Sequence, residues 1–88
     1  MKNLLFFYGL ECEYCREMNK IIDQLISEGY DIEKLETWHN KDNEEMMVNL
    51  DKGDDPCGGV PFLLNQKTGK TICGKVSYKK LKKWAEGE

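Results

Sequence analysis

The sequence predicts a single α/β domain of element order βαβαββα. Strand-length apolar runs alternate with helix-period stripes along the whole chain, and 88 residues suffice for one thin core and no second domain. The start of the chain sets the pattern. Leu4-Leu5-Phe6-Phe7-Tyr8 is an apolar run that leads into Cys12-Glu13-Tyr14-Cys15, which in turn opens a stripe at Met18, Ile21, Ile22, Leu25 and Ile26.

Each element has its own reason. The first strand is the buried run Leu4 to Tyr8. The first helix spans about Glu13 to Glu28, with Glu17, Lys20, Asp23, Gln24, Ser27 and Glu28 turned outward and Gly29 as its stop. Tyr30 to Trp38 is the second strand, and Asp31, Glu33, Lys34 and Glu36 suit it to a sheet edge, where charge discourages intermolecular pairing. Asn40 to Leu50 is the second helix, with Asn40 or Asp42 as cap and Met46, Met47 and Leu50 as the buried side. Asp51 to Gly59 is loop. Val60 to Leu64 and Lys70 to Cys73 form an antiparallel pair around Asn65-Gln66-Lys67-Thr68-Gly69. Gly74 breaks the strand, Ser77 caps the last helix, and Tyr78, Leu81, Trp84 and Ala85 are its inward stripe.

Composition excludes several function classes. A net charge of −3 and a pI near 5.2 argue against binding nucleic acid or anionic membranes, which generally needs a concentrated excess of Lys and Arg. Lys79, Lys80, Lys82 and Lys83 are read as a solvated helix face. No stretch approaches the roughly 20 apolar residues that cross a bilayer. Residues 2–10 imitate a secretion signal but run into Glu11 with no small-residue cleavage site, so they are read as a buried strand. Four cysteines without an export signal point to the reducing cytoplasm, where paired thiols are usually catalytic or metal-binding.

The spacing of Cys12 and Cys15 suits disulfide exchange. Residues three apart on a helix share a face with Cβ atoms about 5–6 Å apart, so a small rearrangement joins their sulfurs. Cys12, at the exposed first turn, is the expected nucleophile, because unpaired backbone N–H groups and the helix dipole favour thiolate there. Cys15, one turn deeper and continuous with the apolar stripe, is the expected resolving thiol. Glu11 and Glu13 oppose the helix end while Arg16 and Lys20 offset them, which predicts a reductant or mild exchanger rather than a strong oxidant.

A proline at the start of a core strand, in Gly59-Val60-Pro61-Phe62, lacks a donor and needs a structural reason. A cis Val60–Pro61 bond is one, and it would present the Val60 backbone as a docking edge. Substrate contacts are therefore expected at Glu13, Tyr14, Val60 and Pro61.

In this arrangement the whole chain resembles the thioredoxin and glutaredoxin superfamily: strand, C-x-x-C and helix, then Val60-Pro61 before a hairpin, then Gly74 before the last helix. The short order is similar to glutaredoxins, as is Tyr14 before the second cysteine. The resemblance implies a thioredoxin fold with a four-stranded mixed sheet flanked by helices, Cys12 attacking, Cys15 resolving, and cis Pro61 beside them. The sequence departs from the family at three places. Glu11 and Glu13-Tyr14 replace the usual tryptophan and Gly-Pro of thioredoxins. Their buried aspartate falls on Phe6, leaving proton transfer from Cys15 to water or another group. Gly74-Lys75-Val76-Ser77 replaces the Gly-Gly and aspartate with which glutaredoxins hold glutathione.

The remaining candidates are weaker. Cys57, in Asp55-Pro56-Cys57-Gly58-Gly59, is a possible auxiliary thiol on the loop feeding Pro61, with a free loop cysteine as the plainer alternative. Cys73 reads as a small buried residue, His39 as isolated, and Met46-Met47, Trp38 and Trp84 as packing. The expected function is a cytoplasmic thiol–disulfide oxidoreductase without cofactor, acting on disulfide-bearing proteins or small molecules and recharged by an unidentified reductase or thiol donor. The alternatives are a metal-binding module using Cys12, Cys15 and Cys57, and a redox-switched interaction module without turnover.

Overall fold

The computed structural model describes residues 2–53 and 56–88. Its elements are β1 (Leu4–Tyr8), α1 (Glu13–Ser27), β2 (Ile32–Glu36), α2 (Lys41–Leu50), β3 (Phe62–Asn65), β4 (Thr71–Cys73) and α3 (Tyr78–Glu86), in the expected βαβαββα order. The strands form one mixed sheet in the order β2-β1-β3-β4. β1 runs parallel to β2 and antiparallel to β3, and β4 returns antiparallel to β3. The apolar β1 therefore lies inside the sheet, while the charged β2 occupies an edge.

Alternation along the strands divides the core into two layers. Leu4, Phe6, Leu63 and Ile72 pack against Met18, Ile22 and Leu25 of α1 and Leu81 and Trp84 of α3. Leu5, Phe7, Phe62 and Leu64 face the other way, against Leu35 and Met47, with Cys57 and Val60 packed on that layer. Both faces of β1 are covered, which is why its run is apolar at every position rather than at alternate ones. No helix among the described residues is long and apolar enough to cross a membrane.

Several boundaries move for physical reasons. β3 begins at Phe62, opposite Phe7, rather than at Val60, because Pro61 has no N–H for the ladder and its carbonyl instead accepts Gly74 N–H at 2.9 Å. β2 excludes Tyr30, whose N–H closes the end of α1 on Leu25 O at 3.1 Å, after Gly29 has turned the chain with φ 107°. Beyond β2, Thr37 remains buried and donates N–H to Tyr8 O at 2.7 Å, so the end of β2 stays fastened to β1. Asn40 caps α2 and Ser77 caps α3 through side-chain oxygens that accept Asn43 N–H and Lys80 N–H. On α2 only Met47 is buried, with Met46 and Leu50 half-buried at the rim. Within the Asp51–Gly59 loop, Asp54 and Asp55 lie outside the described residues.

Candidate active site

The end of β1 delivers the chain to Cys12 through a short turn. Cys12 N–H donates to Gly9 O at 3.0 Å, and Cys12 takes an extended conformation, φ −75° and ψ 118°, as the N-cap of α1. Its sulfur performs the cap, accepting Cys15 N–H at 3.2 Å. Side-chain oxygens usually hold this position. A thiol placed here is directed at the free N–H groups of the helix end, where negative charge on sulfur is stabilised.

Both thiols are free, and both are more enclosed than the sequence suggests. Cys12 keeps 9% of its surface exposed and Cys15 none. The expected exposed first turn is corrected in degree: capping folds the Cys12 sulfur back over α1, while the order of access remains as expected. Burial pushes the Cys15 thiol up to about 12, helped by its hydrogen bond to Cys12 and by charge on Cys12, against a smaller opposing contact with the Gly9 backbone. Cys15 thus holds its proton at neutral pH. Phe6, six positions before Cys12, is fully buried in the α1 layer and supplies no base.

Residues from the end of β2 frame the site. Glu36 accepts N–H groups from Leu10 at 2.9 Å, Trp38 at 3.2 Å and His39 at 2.7 Å, which ties the turn before Cys12 to the edge strand. Desolvation works against its charge, but the N–H groups of His39, Leu10 and Trp38 prevail and hold its carboxyl below the usual range. His39 is not isolated. Its Nε2 lies 2.7 and 2.8 Å from the Glu11 carboxylate, and that hydrogen bond and charge raise the imidazole above its ordinary value. The ring of Trp38 lies over Gly9, where a Cβ would fall 2.3 Å from a ring carbon. Only glycine lets the indole close on the turn. Leu10, Tyr14 and Trp38 leave 58%, 62% and 52% of their surfaces exposed, an unusual amount for large apolar groups so near one turn.

The second cysteine pair lies across the sheet end. Phe7, Phe62 and Cys73 share one row of the register, so β4 brings Cys73 to the same end of the sheet as Tyr8 and Gly9. Cys73 is bonded to Cys57, with their Cα atoms 5.4 Å apart. Two expectations are corrected here. Cys57 is not a free auxiliary thiol, and Cys73 is exposed rather than buried, because β4 is an edge strand and Cys73 alternates with the inward Ile72. The Asp51 carboxylate accepts Cys57 N–H at 2.9 Å and Gly58 N–H at 2.8 Å.

Of the expected substrate contacts, Glu13 and Tyr14 are exposed on the first turn of α1, and Val60 is half-buried. Val60–Pro61 is a cis peptide, and the Pro61 ring is fully buried beneath it. The three cysteines of the metal alternative do not converge as free thiols, and among the described residues no group of three His, Cys, Asp or Glu side chains could hold an ion. Sequence reasoning missed Glu36, Trp38, Asp51 and the Glu11–His39 pair. Only Gly9, a glycine between a core strand and a C-x-x-C, hinted at close packing. The chain matches no protein-family model and has no significant match among curated proteins.

Proposed function

We propose that this chain is a thiol–disulfide oxidoreductase of the thioredoxin fold, acting in the cytoplasm on disulfide-bearing proteins or small molecules. One observation carries the reading: the Cys12 sulfur is seated on the head of α1, where it accepts the Cys15 N–H, with the Cys15 thiol sealed from solvent one turn on. The β2-β1-β3-β4 sheet order, with α1 and α3 on one face and α2 on the other, supports the fold assignment.

The chemistry proceeds in two exchanges. The Cys12 thiolate attacks one sulfur of a substrate disulfide, forming a mixed disulfide and expelling the other substrate sulfur as a thiolate. Charge on Cys12 is thereby consumed, which removes one of the causes that hold the Cys15 proton. With a phenylalanine at position 6, no aspartate stands there to take that proton, so the departing substrate thiolate receives it. Cys15 then attacks the Cys12 sulfur, closing the Cys12–Cys15 disulfide and releasing the second substrate thiolate. Two electrons have passed to the substrate, and an external thiol donor or reductase returns the pair to its reduced form. Leu10, Tyr14 and Trp38 offer exposed apolar surface on and around the turn that carries the reacting sulfur, and the Val60 backbone is the edge assigned to substrate pairing.

Insulin reduction under steady state tests the assignment. Cys12→Ser abolishes turnover, while Cys15→Ser accumulates a mixed disulfide on Cys12 that mass spectrometry detects. Wild-type protein that closes its own disulfide but turns over no substrate would instead define a redox-switched interaction module.

A further inference from the structure

We propose that the Cys57–Cys73 disulfide is a second thiol-reactive site, opened by external dithiols, whose reduction frees the Cys57–Val60 segment and weakens substrate docking beside Cys12; its docking part rests on the exchange reading above. Access is the first ground. Thiol exchange needs a direct approach to sulfur, and Cys73 is exposed on the edge strand β4, whereas Cys12 and Cys15 are both buried. An external dithiol therefore meets the Cys57–Cys73 pair more readily than the pair on α1.

The second ground is what the disulfide holds. Cys57 and Val60 rest on the Phe7, Phe62 and Met47 layer, and the Asp51 carboxylate binds Cys57 N–H and Gly58 N–H. Between them, a Cβ on Gly58 or Gly59 would meet nothing within 4 Å, so no neighbour closes on the side-chain side of either glycine. The covalent link to β4 is the lateral restraint on a segment that runs straight into Val60 and Pro61. Cutting it leaves the partly buried contacts of Cys57 and Val60 with that layer and two hydrogen bonds to one carboxylate.

The third ground is the fate of the released sulfur. Cys57 Sγ lies 3.3 Å from Gly59 O and 3.8 Å from Pro61 O, two carbonyls that accept an S–H and repel a thiolate. Once reduced, Cys57 has carbonyl acceptors for its S–H within reach of where its sulfur already lies. The balance is simple. One sulfur of the dithiol attacks Cys73 Sγ, and the Cys57 sulfur leaves and takes a proton. The second dithiol sulfur then closes on the first, releasing Cys73 as a thiol. The dithiol is oxidised to its cyclic disulfide and the Cys57–Cys73 pair is reduced by two electrons. α1, which carries Cys15, packs on the opposite face of the sheet from Cys57, so the second thiol comes from the reductant rather than from Cys15.

The test uses the intact protein, titrated with dithiothreitol, trapped with iodoacetamide and read by mass spectrometry, with amide hydrogen exchange followed in parallel. Cys57 and Cys73 should become alkylated while β1 amides keep their protection, and the Cys57 and Gly58 amides should exchange about tenfold faster. A disulfide that opens only when β1 loses protection, or reduced protein with unchanged exchange at Cys57 and Gly58, overturns the proposal. Single turnovers with a disulfide-bearing peptide then compare wild type, its Cys57–Cys73 bond intact, with the double variant Cys57→Ser/Cys73→Ser. The half-saturating peptide concentration should rise about threefold with a plateau rate within about twofold. An unchanged concentration dependence overturns the link to docking. Should wild type react with no disulfide at all, the exchange reading fails, and the alkylation and amide arms alone decide whether this pair is a thiol-opened switch.

Discussion

At the scale of single residues, Cys15 makes the sharpest demand. Its thiol is pushed from the usual 9.0 to about 12, chiefly by burial. Iodoacetamide at neutral pH should therefore label Cys12 in the folded protein and spare Cys15, with both labelled after denaturation; peptide mapping checks this. The same shift sets a pH dependence of stability. Below the usual value, folded and unfolded chains both keep the proton; above it the unfolded chain releases the proton and the folded chain does not, so stability falls as pH rises toward about 12. Denaturant titrations should show a shallower decline for Cys15→Ala. The Glu11–His39 pair behaves analogously on the exposed surface, since Glu11 raises the imidazole. Its contribution is complete below the ordinary histidine value and is lost as pH rises through the raised one. Glu11→Gln should lower the His39 midpoint in a proton NMR titration.

At the scale of elements, the β3–β4 hairpin depends on one buried amide. Asn65 Oδ1 accepts Lys67 N–H at 3.0 Å, and Nδ2 donates to Trp84 O at 3.0 Å, so a single side chain closes the turn and fastens the end of α3 to the sheet. Asn65→Ala leaves Lys67 N–H without its acceptor and Trp84 O with the Gly87 N–H alone, and should cost about 1–3 kcal/mol in chemical denaturation. The hairpin itself was legible, because Asn65 and Gly69 bracket a turn between two apolar runs. The second use of Asn65 was not. It depends on Trp84, 19 residues on, and no local pattern encodes that distance. The tyrosines linking α1, its exit and α3 are a similar case: Tyr30 donates to Glu86 and Tyr78 to Glu28, both at 2.7 Å.

At the scale of the whole molecule, the two cysteine pairs occupy one end of the sheet but opposite faces. The two apolar layers are built from strand and helix side chains rather than from sulfur, so the fold should survive loss of the Cys57–Cys73 bond. Closing a loop of this length constrains the unfolded chain by about 3 kcal/mol. Cys57→Ser/Cys73→Ser should therefore unfold in one cooperative transition at lower denaturant, a change that equilibrium unfolding followed by circular dichroism measures.

The amino-acid order alone determined the element sequence, the interior character of Leu4–Tyr8, the edge character of Ile32–Glu36 and the position of Cys12 and Cys15 at the start of a helix. These are consequences of periodicity, charge and local chain direction, which act over a few residues. Tertiary structure alone decided that Cys57 joins Cys73, that His39 meets Glu11, that Glu36 ties down the turn at Leu10, and that the Cys12 sulfur folds inward. Each of these unites groups that are distant in the chain or sets how tightly a local turn is covered, and it is the packing of the sheet and its layers that fixes such distances.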